Sequence, residues 1–143
     1  MIKNLFKILF IFLILPNFLF ANNQFFQEGV DLYKNKQFNE AKFKFEQDIV
    51  FNPKSEKSYL YLSKIYKTLD KRDLQEKNLN TVILLNPENE EAIYNLVKLN
   101  LEKSDYEKSK KLNKRLSSLC KKFCIKSKKL NIEIENRLLI FWI

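Results

Sequence analysis

A chain of 143 residues with 26 Lys+Arg against 17 Asp+Glu carries a formal charge of +9, and it has no His, one Gly, three Pro and two Cys. That length holds one domain at most. The missing His removes the commonest general base and the commonest metal ligand, and one Gly leaves no glycine-rich phosphate loop and few turns with positive φ, which argues against a β-sandwich or barrel.

The chain opens with Lys3 and Lys7 and no acid, followed by the apolar run Ile8 to Leu15, which Phe18, Leu19 and Phe20 continue past Pro16. Ala21 then precedes the polar Asn22-Asn23-Gln24. A basic start, a short apolar stretch and a small boundary residue mark a secretory signal peptide. Residues 1–21 are therefore expected to be cleaved after Ala21, placing the chain from Asn22 onward in the periplasm or outside the cell. Leu19 is larger than the ideal residue at its place, so the alternative is an uncleaved anchor in the inner membrane. Against that, Ile8 to Phe20 covers 13 residues with Pro16 and Asn17 inside, short of the roughly 20 a bilayer needs.

Beyond this segment the sequence repeats. Asn52-Pro53 and Asn86-Pro87 lie 34 residues apart, preceded by Ile49-Val50-Phe51 and by Ile83-Leu84-Leu85. Counting from Asn22, Gly29, Leu32, Phe38, Ala41, Phe45 and Pro53 fall at positions 8, 11, 17, 20, 24 and 32 of a 34-residue unit. These residues resemble the tetratricopeptide repeat, of an exported bacterial type. The resemblance implies an all-α solenoid of about three helical hairpins, 22–55, 56–89 and 90–122, with a C-terminal capping helix and apolar tail over 123–143. It also implies that Gly29 and Ala41 meet where the first two helices cross. Proline at position 32 ends a helix because it lacks an N–H and disfavours helix in the residue before it.

In the second unit Tyr59, Leu62, Tyr66, Leu79, Val82 and Pro87 match, but Gln75 stands where a small residue is usual and puts close packing there in question. Ile93, Leu96, Tyr106 and Leu116 carry a more degenerate third unit. Periodicity supports helices independently, since Phe38, Ala41, Phe45 and Ile49 recur at three- and four-residue steps. Ser104 and Glu107 read as a capping box opening the last hairpin helix. Ser127 reads as the cap of a final helix with the stripe Leu130, Ile134 and Leu138. The end, Leu138 to Ile143, reads as a tail tucked onto the array or as an exposed docking patch.

Charge concentrates late in the chain. Residues 22–97 carry a net −1, and residues 98–129 a net +9. This block reads as a solvated helix face, or as a surface for an acidic protein or an anionic membrane. With Arg115 its only arginine, it suits diffuse attraction better than bidentate phosphate recognition, and export disfavours nucleic acid as a partner. Cys120 and Cys124 cannot build a four-ligand zinc site without His. An even count in an exported chain reads as a Cys120–Cys124 disulfide, with two buried free thiols as the alternative. No nucleophile–His pair exists, and Glu90–Glu91 and Glu133–Glu135 read as solvated helix charge. Neither an enzyme nor a cofactor is expected.

The tetratricopeptide resemblance implies a groove for an extended peptide or protein partner, lined at three positions of each unit. The first is Phe26, Leu60 and Tyr94; the second is Val30, Lys64 and Lys98; the third is Tyr33, Lys67 and Leu101. The family's carboxylate clamp is absent, because its positions hold Phe26, Val30, Tyr61, Glu91 and Asn95. The implied function is an adaptor or scaffold of the bacterial envelope. The alternative is a structural subunit of an envelope assembly that docks through the basic third hairpin and the apolar tail.

Overall fold

A computed structural model describes residues 24–141, so the expected signal peptide and the last two residues lie outside the described chain. Helix α1 covers 24–34. It is followed by α2 (Phe38–Phe51), α3 (Glu56–Thr68), α4 (Arg72–Leu85), α5 (Glu90–Glu102), α6 (Tyr106–Leu119) and α7 (Cys124–Phe141). No strand occurs among the described residues.

The same backbone turn closes α1, α3 and α5. Lys36, Asp70 and Ser104 are left-handed, with φ of 61°, 52° and 59°. Each donates its N–H three residues back, to Tyr33, Lys67 and Leu101, and the next residue donates five back, from Gln37 to Leu32, Lys71 to Tyr66 and Asp105 to Asn100. This is the Schellman ending, which satisfies carbonyls that a helix end otherwise leaves orphaned. The expectation of few positive-φ turns is thus corrected: among the described residues four non-glycine residues, Cys120 included, adopt that conformation. Ser104 is correspondingly the left-handed turn residue and not a cap. Asp105 caps α6, its carboxylate accepting the N–H of Lys108 at 3.1 Å.

The chain forms two compact units, which divide after Tyr61. In the first, Ala41 and Phe45 are fully buried. The three heavy atoms nearest to a β-carbon built on Gly29 all belong to the Phe45 ring. Lys44 on α2 pairs with Glu28 on α1 at 2.6 Å. Asp48, also buried, accepts the hydroxyls of Ser55 and Ser58 around the start of α3.

The second unit is built on Ile93, Val97, Leu101, Leu116, Leu130 and Ile134. Gln75 is accommodated there in the buried interior at 3% exposure. Glu76 on α4 draws Lys103 and Lys108 to 2.7 and 2.6 Å. Helix α7 begins at Cys124, one turn before Ser127, which corrects the expected cap. Ser127 is instead buried between α6 and α7. Its hydroxyl contacts Ser117 and the Asn113 side chain, and its carbonyl accepts the Asn113 amide at 3.0 Å.

Cys120 and Cys124 are bonded, with Cα atoms 4.7 Å apart. Cys120 ends α6 in the left-handed region and Cys124 opens α7, so the bond ties the two helices at their corner. The intervening backbone wraps the carboxylate of Glu90, which accepts the N–H of Lys121 at 2.7 Å and of Lys122 at 2.6 Å. Burial pushes the Glu90 carboxyl up. The N–H groups of Lys122, Lys121 and Phe123 and the charge of Lys121 outweigh that, and the pKa lies below the ordinary carboxylate value. Glu90 is therefore 6% exposed and structural, where solvated charge was expected.

Candidate functional site

The residues implied as groove-lining divide between the two units. In the first, Phe26 and Tyr33 come from α1, and Tyr61, from α3, lies between them. Tyr61 stacks on Phe45 at 4.8 Å and meets Tyr33 edge-on at 5.1 Å and Phe26 at 5.8 Å. Phe38 lies 5.5 Å from Tyr33. The Lys57 ammonium sits 6.0 Å from the Phe26 ring centroid. All three of Phe26, Tyr33 and Tyr61 are half-buried, as are Val30 and Leu60. These rings brace one another and remain partly exposed to solvent.

In the second unit, Glu91, Tyr94 and Lys98 share one stripe of α5. Lys64 of α3 pairs with Glu91 at 2.7 Å, and Lys98 pairs with Glu133 of α7 at 3.6 Å. Arg137, one turn on, also reaches Glu133 at 3.2 Å. Between these pairs, Tyr94 lies 5.4 Å from Phe123, and the Lys126 ammonium sits 5.3 Å from the Tyr94 ring and 4.2 Å from the Phe123 ring. A cation over two ring faces is held by their quadrupoles and leaves an apolar edge beside a positive charge. Lys67 is exposed.

Lys64 and Lys98, which share one groove position, each already face a carboxylate. Leu101, given a groove position, is 1% exposed and lies in the core with Leu130 and Ile134, since α7 packs over that end of α5. Sequence reasoning missed Phe123, Lys126 and Glu133. The signal was there: α3, α5 and α7 start at Glu56, Glu90 and Cys124, one 34-residue step apart each time. Carrying the count one unit further sets Leu130 and Ile134 at positions 7 and 11, in register with Leu62, Tyr66 and Leu96.

Among the described residues no group of three or more acids or cysteines could hold a metal, and no helix is long and apolar enough to cross a membrane.

No protein-family model and no curated protein matches this sequence. Solved structures do. The type III secretion chaperone SycD of Yersinia enterocolitica, in complex with a peptide of the translocator YopD, has a TM-score of 0.72 at 13% identity over 82% of this chain and 92% of its own. The Arabidopsis OM64 TPR domain gives 0.73 at 16% identity over 84% and 98%. The TPR2B domain of yeast Sti1, in its pHsp70 complex, gives 0.74 at 11% identity over 81% and 97%. The fold is that of an all-α tetratricopeptide-like solenoid.

Proposed function

We propose that the protein is an interaction adaptor of the cell envelope that holds a peptide or protein partner through the exposed edges described above. The observation that carries this is the second unit's platform, in which Lys126 lies over Tyr94 and Phe123 with the Lys64–Glu91 and Lys98–Glu133 pairs on either side. Half-buried ion pairs flanking an aromatic edge suit a partner that carries both charge signs around an apolar anchor. Such a partner can exchange with each pair without leaving a charge uncompensated. The peptide held by SycD and the pHsp70 complex of Sti1 support a peptide or protein as the ligand class. Envelope location rests on the basic, apolar and small-residue pattern of residues 1–21.

The test is a crosslinking pulldown from envelope fractions, with circular dichroism as the check on folding. Aromatic anchors dominate most interfaces, so Tyr94→Ala and Tyr33→Ala are each expected to weaken capture by about 1–3 kcal/mol. Lys67→Glu should mainly slow association and change its salt dependence. Folded variants that keep every partner would remove these surfaces from consideration. Intact-mass measurement on the same fractions should find a chain beginning at Asn22; retention of Met1 to Phe20 would reject the export reading.

A further inference from the structure

The outward face of α7 has no neighbour among the described elements. Ile125, Ile132 and Leu139 are 71%, 63% and 64% exposed and recur every seven residues. They form one line along roughly 20 Å of helix. Leu130 and Ile134 lie on the opposite side, in the core. Lys128 and Lys129 stand on the exposed side beside Ile125 and Ile132, and neither makes an ion pair among the described residues. Nor do Lys111 and Lys114 on the exposed side of α6. The Lys110–Glu135 pair at 3.4 Å fixes which edges of α6 and α7 adjoin, and Lys114 lies one turn along from Lys110.

We infer that this face rests on a membrane surface containing anionic lipid, independently of the peptide-binding reading. A second helix is the obvious rival occupant, but the pattern does not suit one. A coiled-coil seam needs apolar residues at alternating steps of three and four. Between Ile125, Ile132 and Leu139 those intermediate places hold either Lys128 and Glu135 or Lys129 and Asn136. A second copy laid parallel would also set Lys128 and Lys129 against their own equivalents. A bilayer surface uses both features together: the three apolar side chains enter the acyl boundary while the lysine stems lie along it and raise their ammonium groups to the phosphates. The free lysines of α6 add diffuse attraction to the same leaflet.

The experiment uses the full chain carrying an environment-sensitive fluorophore at Ile132→Cys, the native cysteines being bonded to each other. Vesicles of phosphatidylcholine alone are compared with vesicles containing one third phosphatidylglycerol. The probe at 132 should shift to the blue and be quenched by nitroxide lipid only with the anionic vesicles. Lys128→Glu and Lys129→Glu should each weaken binding by at least about five-fold. The probe reports α7 itself, so adsorption through residues 1–21 alone would leave it in water, which overturns the inference. So would an equal response to neutral vesicles. Concentration-dependent dimers that a Ile132→Glu exchange dissociates would overturn it too, assigning the face to self-association.

Discussion

A β-carbon on Gly29 would sit 2.8 Å from Cε1 of the Phe45 ring. That ring cannot retreat, since Phe45 is fully buried and stacked on Tyr61 at 4.8 Å. Alanine normally favours a helix interior over glycine by up to about 1 kcal/mol; here the overlap outweighs that gain. Gly29→Ala should destabilise the protein by about 1–2 kcal/mol, as overpacked cores do. Thermal melts would check this, and Phe45→Leu should relieve part of the loss in the double variant. A Gly29→Ala protein as stable as the wild type would show that the first unit yields easily at this crossing.

Three left-handed turns without glycine leave room for improvement. A side chain in this conformation costs about 1–2 kcal/mol, less for Asp and Asn, and glycine repays part of it in lost unfolded-state order. Lys36→Gly should therefore raise stability by roughly 0.5–1 kcal/mol, and Asp70→Gly by less. Chemical denaturation with an unchanged m-value would measure both. A loss at Lys36→Gly would mean that its side chain contributes more than its backbone conformation costs.

Acid should weaken the second unit. The Lys103 and Lys108 hydrogen bonds hold Glu76 below the ordinary 4.5, and Glu90 is lowered against its own burial by the backbone of the Cys120–Cys124 turn. A carboxyl with a depressed folded pKa contributes stability that is complete above the unfolded value and lost as pH falls through the folded one. Stability should hold at neutral pH and decline progressively below about pH 4.5. Glu90→Gln should flatten that decline and lower the melting temperature at pH 7. An unchanged acid profile in both Glu90→Gln and Glu76→Gln would place the sensitivity elsewhere.

The disulfide and Glu90 should act as one device. Replacing both cysteines by serine removes a tether that limits the unfolded chain by about 2 kcal/mol for so short a loop. It should also speed hydrogen exchange at the Lys121 and Lys122 amides, which Glu90 holds. In a Glu90→Gln background the same replacement should cost less, because the cradle is already weakened. Strict additivity of the two changes, read by denaturation, would separate them.

Much of this architecture was legible as spacing. Asn-Pro at a 34-residue interval and the Gly29–Phe45 pattern marked stacked hairpins, since helix crossing and helix ending each demand particular residue types. What escaped was set by partners distant in sequence. Glu90 looks like any first-turn acid until the turn 31 residues later closes around it. Lys64 and Lys98 look like free cations until α5 and α7 bring Glu91 and Glu133 to them. The turns at Lys36, Asp70 and Ser104 were hidden for a different reason. Their conformation is imposed by the two hydrogen bonds of the helix ending, and three dissimilar side chains tolerate it.

The ring contacts of the first unit have an optical consequence. Tyr33 and Tyr61 meet at 5.1 Å with their planes inclined by 77°, and Tyr61 lies parallel to Phe45 within 15°. Fixed, inclined aromatic chromophores at this range couple their transitions, and near-ultraviolet circular dichroism reads such fixed packing while the far ultraviolet reads helix alone. The chain thus carries an unlabelled gauge of order around Tyr61, able to fade while the helical signal stays constant.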